Sequence, residues 1–200
     1  MLLHSLSEAR LNDNQLEEAV FENESLPGTD FSKLTVDSVK FSRCAFPGSN
    51  FSKTNFHNVA FSECDLSNCF FPDSYWKKSR LAGCKGDQSN FSMSRLKECD
   101  LFGGSWCYSN WHQSIWEKCC ISGGVFRQAS FSDVCFKKME IKAADLASVD
   151  FFKTLLKGID LSDSIIDGIS VSDDFSELRG IKINELQAII VARIVGAEIV

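Results

Sequence analysis

The sequence predicts an all-β solenoid closed by a short C-terminal α-helix: a chain that turns the same way after every short side and stacks its turns. Three observations carry this. Large apolar residues recur at every fifth position from Leu6 to Val171, and of the 34 positions in that register only Gly86 departs. The position two before the large residue is small along most of the chain, as at Cys44, Ser49, Thr54, Cys64, Cys69, Ser74, Ser79, Cys84, Ser89 and Ser94. The position after it is rich in serine and holds all three prolines, Pro27, Pro47 and Pro72.

The register is not a product of composition. All four Trp and 13 of the 17 Phe fall in it, although the chain is only 44% apolar. A period of five fits neither the 3.6-residue turn of a helix nor the alternation of a long strand. Residues two apart in an extended segment point to the same side, so each unit sends one small and one large side chain inward. Serine and proline suit the turn that follows. Phe and Trp heavily outnumber the two Tyr, which suits a dry interior.

The units Cys64-Asp65-Leu66-Ser67-Asn68, Ser89-Asn90-Phe91-Ser92-Met93 and Ala144-Asp145-Leu146-Ala147-Ser148 follow one pattern: small, any, large apolar, turn, any. In this the chain resembles the pentapeptide-repeat proteins over roughly residues 6–171. The resemblance implies a right-handed quadrilateral β-helix over residues 1–175, with four pentapeptides per coil. About eight coils at one strand spacing make a rod of roughly 40 Å. Residues one coil apart then stack. Phe31, Phe51, Phe71, Phe91, Trp111, Phe131 and Phe151 form an aromatic column. Asp30, Asn50, Asn90, Asn110 and Asp150 share a second column, Cys44, Cys64 and Cys84 a third, and Cys99 and Cys119 a fourth.

The pattern fades after Val171, and residues 176–200 read as a separate cap. Asn184 is an N-cap candidate, Glu185 favours the positive helix start, and Gly196 is a good stop. Leu186, Ile189, Ile190, Arg193 and Ile194 fall on one helical face. Val191 and Val195 widen the apolar surface beyond what one buried face needs, and Ala197 to Val200 form a short apolar tail. Two readings stand: a lid over the last coil, which an open solenoid end requires, or a homodimer across a twofold axis. The segment from Gly180 to Ala197 also resembles the end of the quinolone-resistance (Qnr-type) members of the family, where that end dimerises the solenoid.

Little in the sequence points to catalysis. His4, His57 and His112 lie far apart, and no nucleophile–His–acid spacing is present. Gly103-Gly104 and Gly123-Gly124 read as stacked turn and inner positions rather than a phosphate cradle. Six of the nine cysteines occupy the small inner slot, where a thiol acts as a small hydrophobe; Cys107, Cys120 and Cys135 should face outward. No paired-cysteine spacing suggests zinc. The expectation is therefore no enzyme, no metal and no cofactor. The first residues lack the pattern of a secretory leader, so a reducing cytoplasm is expected for these thiols, with no membrane association.

Charge is uneven. Residues 1–40 carry eight acids and three bases, and residues 161–180 five acids and one base, within a net charge of -6. Lys77, Lys78, Lys97, Lys118, Lys137, Lys138 and Lys157 form a stripe along one expected side, opposed there by Glu98 and Glu117. The Qnr-type resemblance implies a homodimer that mimics DNA, binds DNA gyrase or topoisomerase IV, and does not itself bind nucleic acid. Asp163, Asp167, Asp173, Asp174 and Glu177 would be its contacts. The alternative is a scaffold for another partner, recognised through the Lys stripe or through Phe70, Phe102, Phe152, Tyr75, Tyr108 and Ile115, which lie outside the inner register.

Overall fold

A computed structural model describes residues 1–198; Ile199 and Val200 of the expected apolar tail lie outside the described residues. The chain is a parallel β-solenoid with four sides to the coil. Its strands are three residues long: β1 (Gln15–Glu17), β2 (Val20–Glu22), β3 (Thr35–Asp37), β4 (Lys40–Ser42), β5 (Asn55–His57), β6 (Ala60–Ser62) and β7 (Tyr75–Lys77). They continue as β8 (Arg80–Ala82), β9 (Arg95–Lys97), β10 (Asp100–Phe102), β11 (Ile115–Glu117), β12 (Cys120–Ser122), β13 (Cys135–Lys137) and β14 (Glu140–Lys142). Odd strands form one seven-stranded sheet and even strands the other. Each pairs with the residue 20 further on, as Phe56 with Trp76 and Phe61 with Leu81. The other two sides are joined by single bridges, from Ser25 to Ile165 and from Asp30 to Ser170.

The large register residues fill the interior. The aromatic column is continuous, with ring centroids 4.7 Å apart for Phe31–Phe51, 4.8 Å for Phe51–Phe71, 4.3 Å for Phe71–Phe91 and 4.0 Å for Phe91–Trp111. It continues at 5.8 Å to Phe131 and 5.9 Å to Phe151. The Asx column also stacks, with Phe70 and Ser130 taking two of its places. Each acid or amide in it accepts the amide two residues on: Asn50 from Ser52 at 3.0 Å, Asn90 from Ser92 at 2.9 Å and Asn110 from His112 at 3.0 Å. These Asx turns fix the corners.

The small slot does more than save space. Ser49 Oγ donates to Leu26 O at 3.0 Å and Thr54 Oγ1 to Phe31 O at 2.8 Å. At three of the four Trp the slot serine accepts the indole N–H: Ser74 from Trp76 at 2.8 Å, Ser109 from Trp111 at 2.8 Å and Ser114 from Trp116 at 3.0 Å. A buried indole needs such a partner, so the interior is dry but not wholly apolar.

Two residues after the large one, the backbone is left-handed at ordinary side chains such as Lys53 (φ 58), Asn58 (φ 54) and Lys118 (φ 55). This costs about 1–2 kcal/mol per residue. The amide freed by the turn donates to the next coil, Lys53 N to Pro72 O and Asn58 N to Lys77 O at 2.9 Å, so the ladder overrides local preference.

Both ends differ from a bare repeat. Helix α1 (Leu2–Leu11) occupies the segment where the register had predicted the first coil. Its Leu2, Leu6 and Ala9 are buried at helical spacing, while Leu11, in the five-residue register, is 84% exposed. The coincidence of Leu6, Leu11 and Leu16 hid a capping helix. The N-terminal amine lies 3.1 Å from Glu24, and Arg10 donates to Asp30 O at 3.2 Å, tying the cap to the coils beneath. At the other end, Lys182 bridges to Asp160 and leads into helix α2 (Glu185–Ile194).

Candidate partner-binding surface

Helix α2 begins as the sequence predicted. Asn184 accepts the Gln187 amide and Gln187 returns the bond to Asn184 N, both at 2.9 Å. Gln187 is the one fully buried residue of the helix and donates from Nε2 to Leu161 O at 2.7 Å and Ser164 O at 2.6 Å. Ile190, Val191 and Ile194 pack against the core beside it. The five residues expected on one face therefore divide. Ile190 and Ile194 turn inward, whereas Leu186 (77% exposed), Ile189 and Arg193 face out, joined by Val195. Helical spacing could not separate the two sets, because the residue that docks the helix is a polar Gln.

The acidic segment divides too. Asp163, Asp167, Asp173 and Asp174 are exposed. Asp167 lines a hollow with Gly168, Ile190, Arg193 and Ile194, against α2. Asp163 follows Ser162, whose carbonyl accepts from Asn184 Nδ2 at 2.7 Å. Asp174 accepts from Ser172 Oγ at 2.6 Å and Ser176 N at 3.1 Å, and these bonds hold its pKa below the usual carboxylate value. Glu177 is a correction to the expected contact set. It is 0% exposed, accepting Lys153 N at 2.7 Å and Ser172 Oγ at 2.8 Å. Burial works to raise its pKa, but these hydrogen bonds prevail and hold it low. It fastens the terminal segment to the last coils and offers no carboxylate outward.

The Lys stripe follows the odd-strand sheet, where Lys77 pairs with Lys97 and Glu117 with Lys137 in register, except for Lys157, which lies in a turn beyond the last strand. Lys97–Glu117 at 3.5 Å and Lys118–Glu98 at 3.6 Å are half-exposed pairs of small energetic value. On the same side His57 Nδ1 lies 2.9 Å from Asp37, whose pKa that bond lowers. Of the outlying apolar residues, Phe70, Tyr75, Tyr108 and Phe152 are exposed; Phe102 and Ile115 are half-buried, Phe102 beneath the Arg80 guanidinium at 4.1 Å.

The inner-slot thiols are buried, and all nine cysteines are free. Burial pushes Cys69 up to about 12. The thiol of Cys84, and then burial, drive Cys64 above the ordinary range; Cys119 and burial do the same to Cys99. Among the described residues no group of three His, Cys, Asp or Glu could hold a metal ion, and no helix is long and apolar enough to cross a membrane.

A family model described as a pentapeptide repeat region matches residues 54–125. Residues 54–125 are a pentapeptide-repeat region. The same pairing 20 residues apart continues on both sides of them. A trypsin-treated variant of QnrB1, a plasmid-mediated fluoroquinolone resistance protein, is similar in fold, with a TM-score of 0.54 at 18% identity over 93% of this chain and 99% of that one. The pentapeptide-repeat protein Rfr23 of the cyanobacterium Cyanothece 51142 matches at 12% identity over 92% and 100%, TM-score 0.34. HetL of Nostoc sp. strain PCC 7120, involved in heterocyst differentiation regulation, matches at 11% over 88% and 92%, TM-score 0.27. No curated protein matches this sequence.

Proposed function

We propose that this solenoid is a non-enzymatic DNA mimic that binds DNA gyrase or topoisomerase IV and modulates or protects it, conferring fluoroquinolone resistance. The observation that carries the reading is the juxtaposition at the C-terminal end. Exposed Asp163, Asp167, Asp173 and Asp174 lie in the segment that leads into α2, whose Leu186 and Ile189, with Val195 after them, are exposed apolar residues, and Asp167 lines a hollow with Ile190, Arg193 and Ile194 of that helix. Pairing two copies through those exposed apolar residues covers apolar surface that water otherwise meets. It also brings two carboxylate clusters together at the centre of a rod, the sign and placement of charge that a DNA-binding saddle accepts. The fold shared with QnrB1, a plasmid-mediated fluoroquinolone resistance protein, is consistent with this. Its free thiols suit the cytoplasm, where such enzymes act.

The test is a supercoiling and cleavage assay on gyrase and topoisomerase IV, with and without a fluoroquinolone, titrating this protein. Restored supercoiling in drug supports the reading; no effect on either enzyme at tens of micromolar (about the weak end of useful affinity) removes it.

A second reading, a scaffold for another partner, draws on the exposed Phe70, Tyr108 and Phe152 and on the Lys stripe. Duplex DNA binding that falls with salt favours the stripe; a mimic binds no DNA.

A further inference from the structure

The stack is not continuous on all four sides. On the two bridged sides each coil donates to the next down to the last turns: Phe131 N to Asp150 O at 2.7 Å, Asp133 N to Phe152 O, Leu146 N to Ile165 O and Ser148 N to Asp167 O at 2.8 Å. On the two sheet sides the ladder stops one coil earlier. The sheets end at β13 and β14, and the equivalent amides of Phe136, Lys138, Ile141 and Ala143 have no hydrogen-bond partner among the described residues. The cause lies in the next coil. Residues 155–163 take turn conformations at Lys157–Gly158 and Ser162–Asp163 in place of strands, which draws their carbonyls away from the strand edge. The hydroxyl of Thr154 still accepts Val134 N at 2.8 Å and that of Ser164 accepts Ala144 N at 3.2 Å, so the corners at either end stay closed. Between them the wall parts. Phe136, whose counterparts from Phe21 to Phe131 are buried, is only half-buried here.

A cavity of ≈ 400 Å³ occupies the β14 side of this break, bounded by Glu140 and Lys142 on one lip and by Gly158, Asp160 and Asp163 on the other. Glu140 is neutralised by Lys142 at 2.6 Å. Asp160 and Asp163 accept from Ser162 and Ser164 but form no ion pair among the described residues. A strand edge with open amides is the template for adding another strand, and here two carboxylates outside any ion pair among the described residues flank it.

We propose that this break is a strand-addition site for a short extended segment of a basic partner protein. Its backbone pairs with Ile141 and Ala143 along the open edge of β14. Its cationic side chains meet Asp160 and Asp163. The edge is short, so the affinity for an isolated peptide is on the order of 0.1–1 mM. The inference stands apart from topoisomerase binding, although Asp163 serves both.

The test is an amide NMR titration of the full chain with an octapeptide of alternating threonine and arginine. Two comparison peptides follow: one with glutamate for arginine, and one with proline for threonine, which keeps the charge and the carbonyls that accept from Ile141 and Ala143 but removes amides needed to complete a ladder with the β14 carbonyls. The expected result is a saturable shift at the Ile141 and Ala143 amides with the first peptide alone, with their hydrogen exchange slowed about tenfold or more. The double substitution Asp160→Asn and Asp163→Asn should weaken it about tenfold, since Asn keeps the turn bonds to Ser162 and Ser164. The proposal is overturned if the proline peptide binds as well as the first, or if shifts spread over the surface acids while the β14 amides stay unmoved.

Discussion

The indole of Trp106 occupies the space that a side chain on Gly86, one coil earlier, would need: a Cβ built on Gly86 overlaps the Trp106 ring. The single gap in the five-residue register and an oversized ring one coil later are therefore one packing solution. Trp106 also lacks a slot serine, since Gly104 stands there, and its Nε1 donates to Gly103 O at 3.3 Å. Gly104 itself (φ 81) lies against the Cys84 carbonyl, where no side chain fits.

Gly86→Leu alone should lower stability by about 1–3 kcal/mol through overpacking. Adding Trp106→Leu should recover much of the loss, a coupling measurable from urea midpoints in a double-mutant cycle. Additive losses would show that the two sites do not share the space.

Two slot serines should behave oppositely. Ser109→Ala strands the Trp111 N–H in the core and should cost about 1–3 kcal/mol. Ser94 Oγ is buried with no partner among the described residues, so Ser94→Ala should be neutral or mildly stabilising. Thermal melts of the pair decide it; equal losses would contradict the assignment.

Glu177 gives a pH dependence with a definite sign. Its pKa in the fold lies below the ordinary glutamate value. Its contribution to stability is thus complete above that ordinary value and is lost as pH falls through the lowered one. Glu177→Gln should flatten this acid limb of the stability curve, read by chemical denaturation at successive pH values. An unchanged limb would assign the acid sensitivity elsewhere.

Thiol labelling under native conditions should modify exposed Cys135 first, Cys107 and Cys120 more slowly, and the six slot cysteines only after unfolding. Rapid native labelling of Cys69 would contradict its burial.

Leu186→Glu with Ile189→Glu should leave the fold intact, since both side chains face out, and should convert a dimer to a monomer by light scattering. Val191→Glu, by contrast, should destabilise the cap itself, because Val191 packs against the core. A wild-type monomer would remove the dimer from the account.

The rod was legible because one large and one small side chain in every five must enter a narrow interior, and no other arrangement uses Phe51, Phe71, Phe91 and Trp111 so regularly. The ends were less so. Leu6 and Leu11 fit two periods at once, and only burial shows which applies. The α2 cap was readable from Asn184, but its docking through Gln187 was not, since a polar residue gives no apolar signal. Glu177 counted as surface charge because nothing local marks a carboxylate that bonds across 24 residues to Lys153. The break beside β14 was invisible: residues 155–163 keep the apolar register at Leu156 and Leu161 while changing their turns.

The most direct measurement of the central claim is competition for a type II topoisomerase between this protein and a fluorescently labelled DNA duplex, followed by anisotropy. DNA mimicry predicts that the protein displaces the duplex, and that replacing Asp163, Asp167, Asp173 and Asp174 together with Asn abolishes displacement while the melting temperature holds. Binding without displacement, or displacement untouched by those four substitutions, would contradict it.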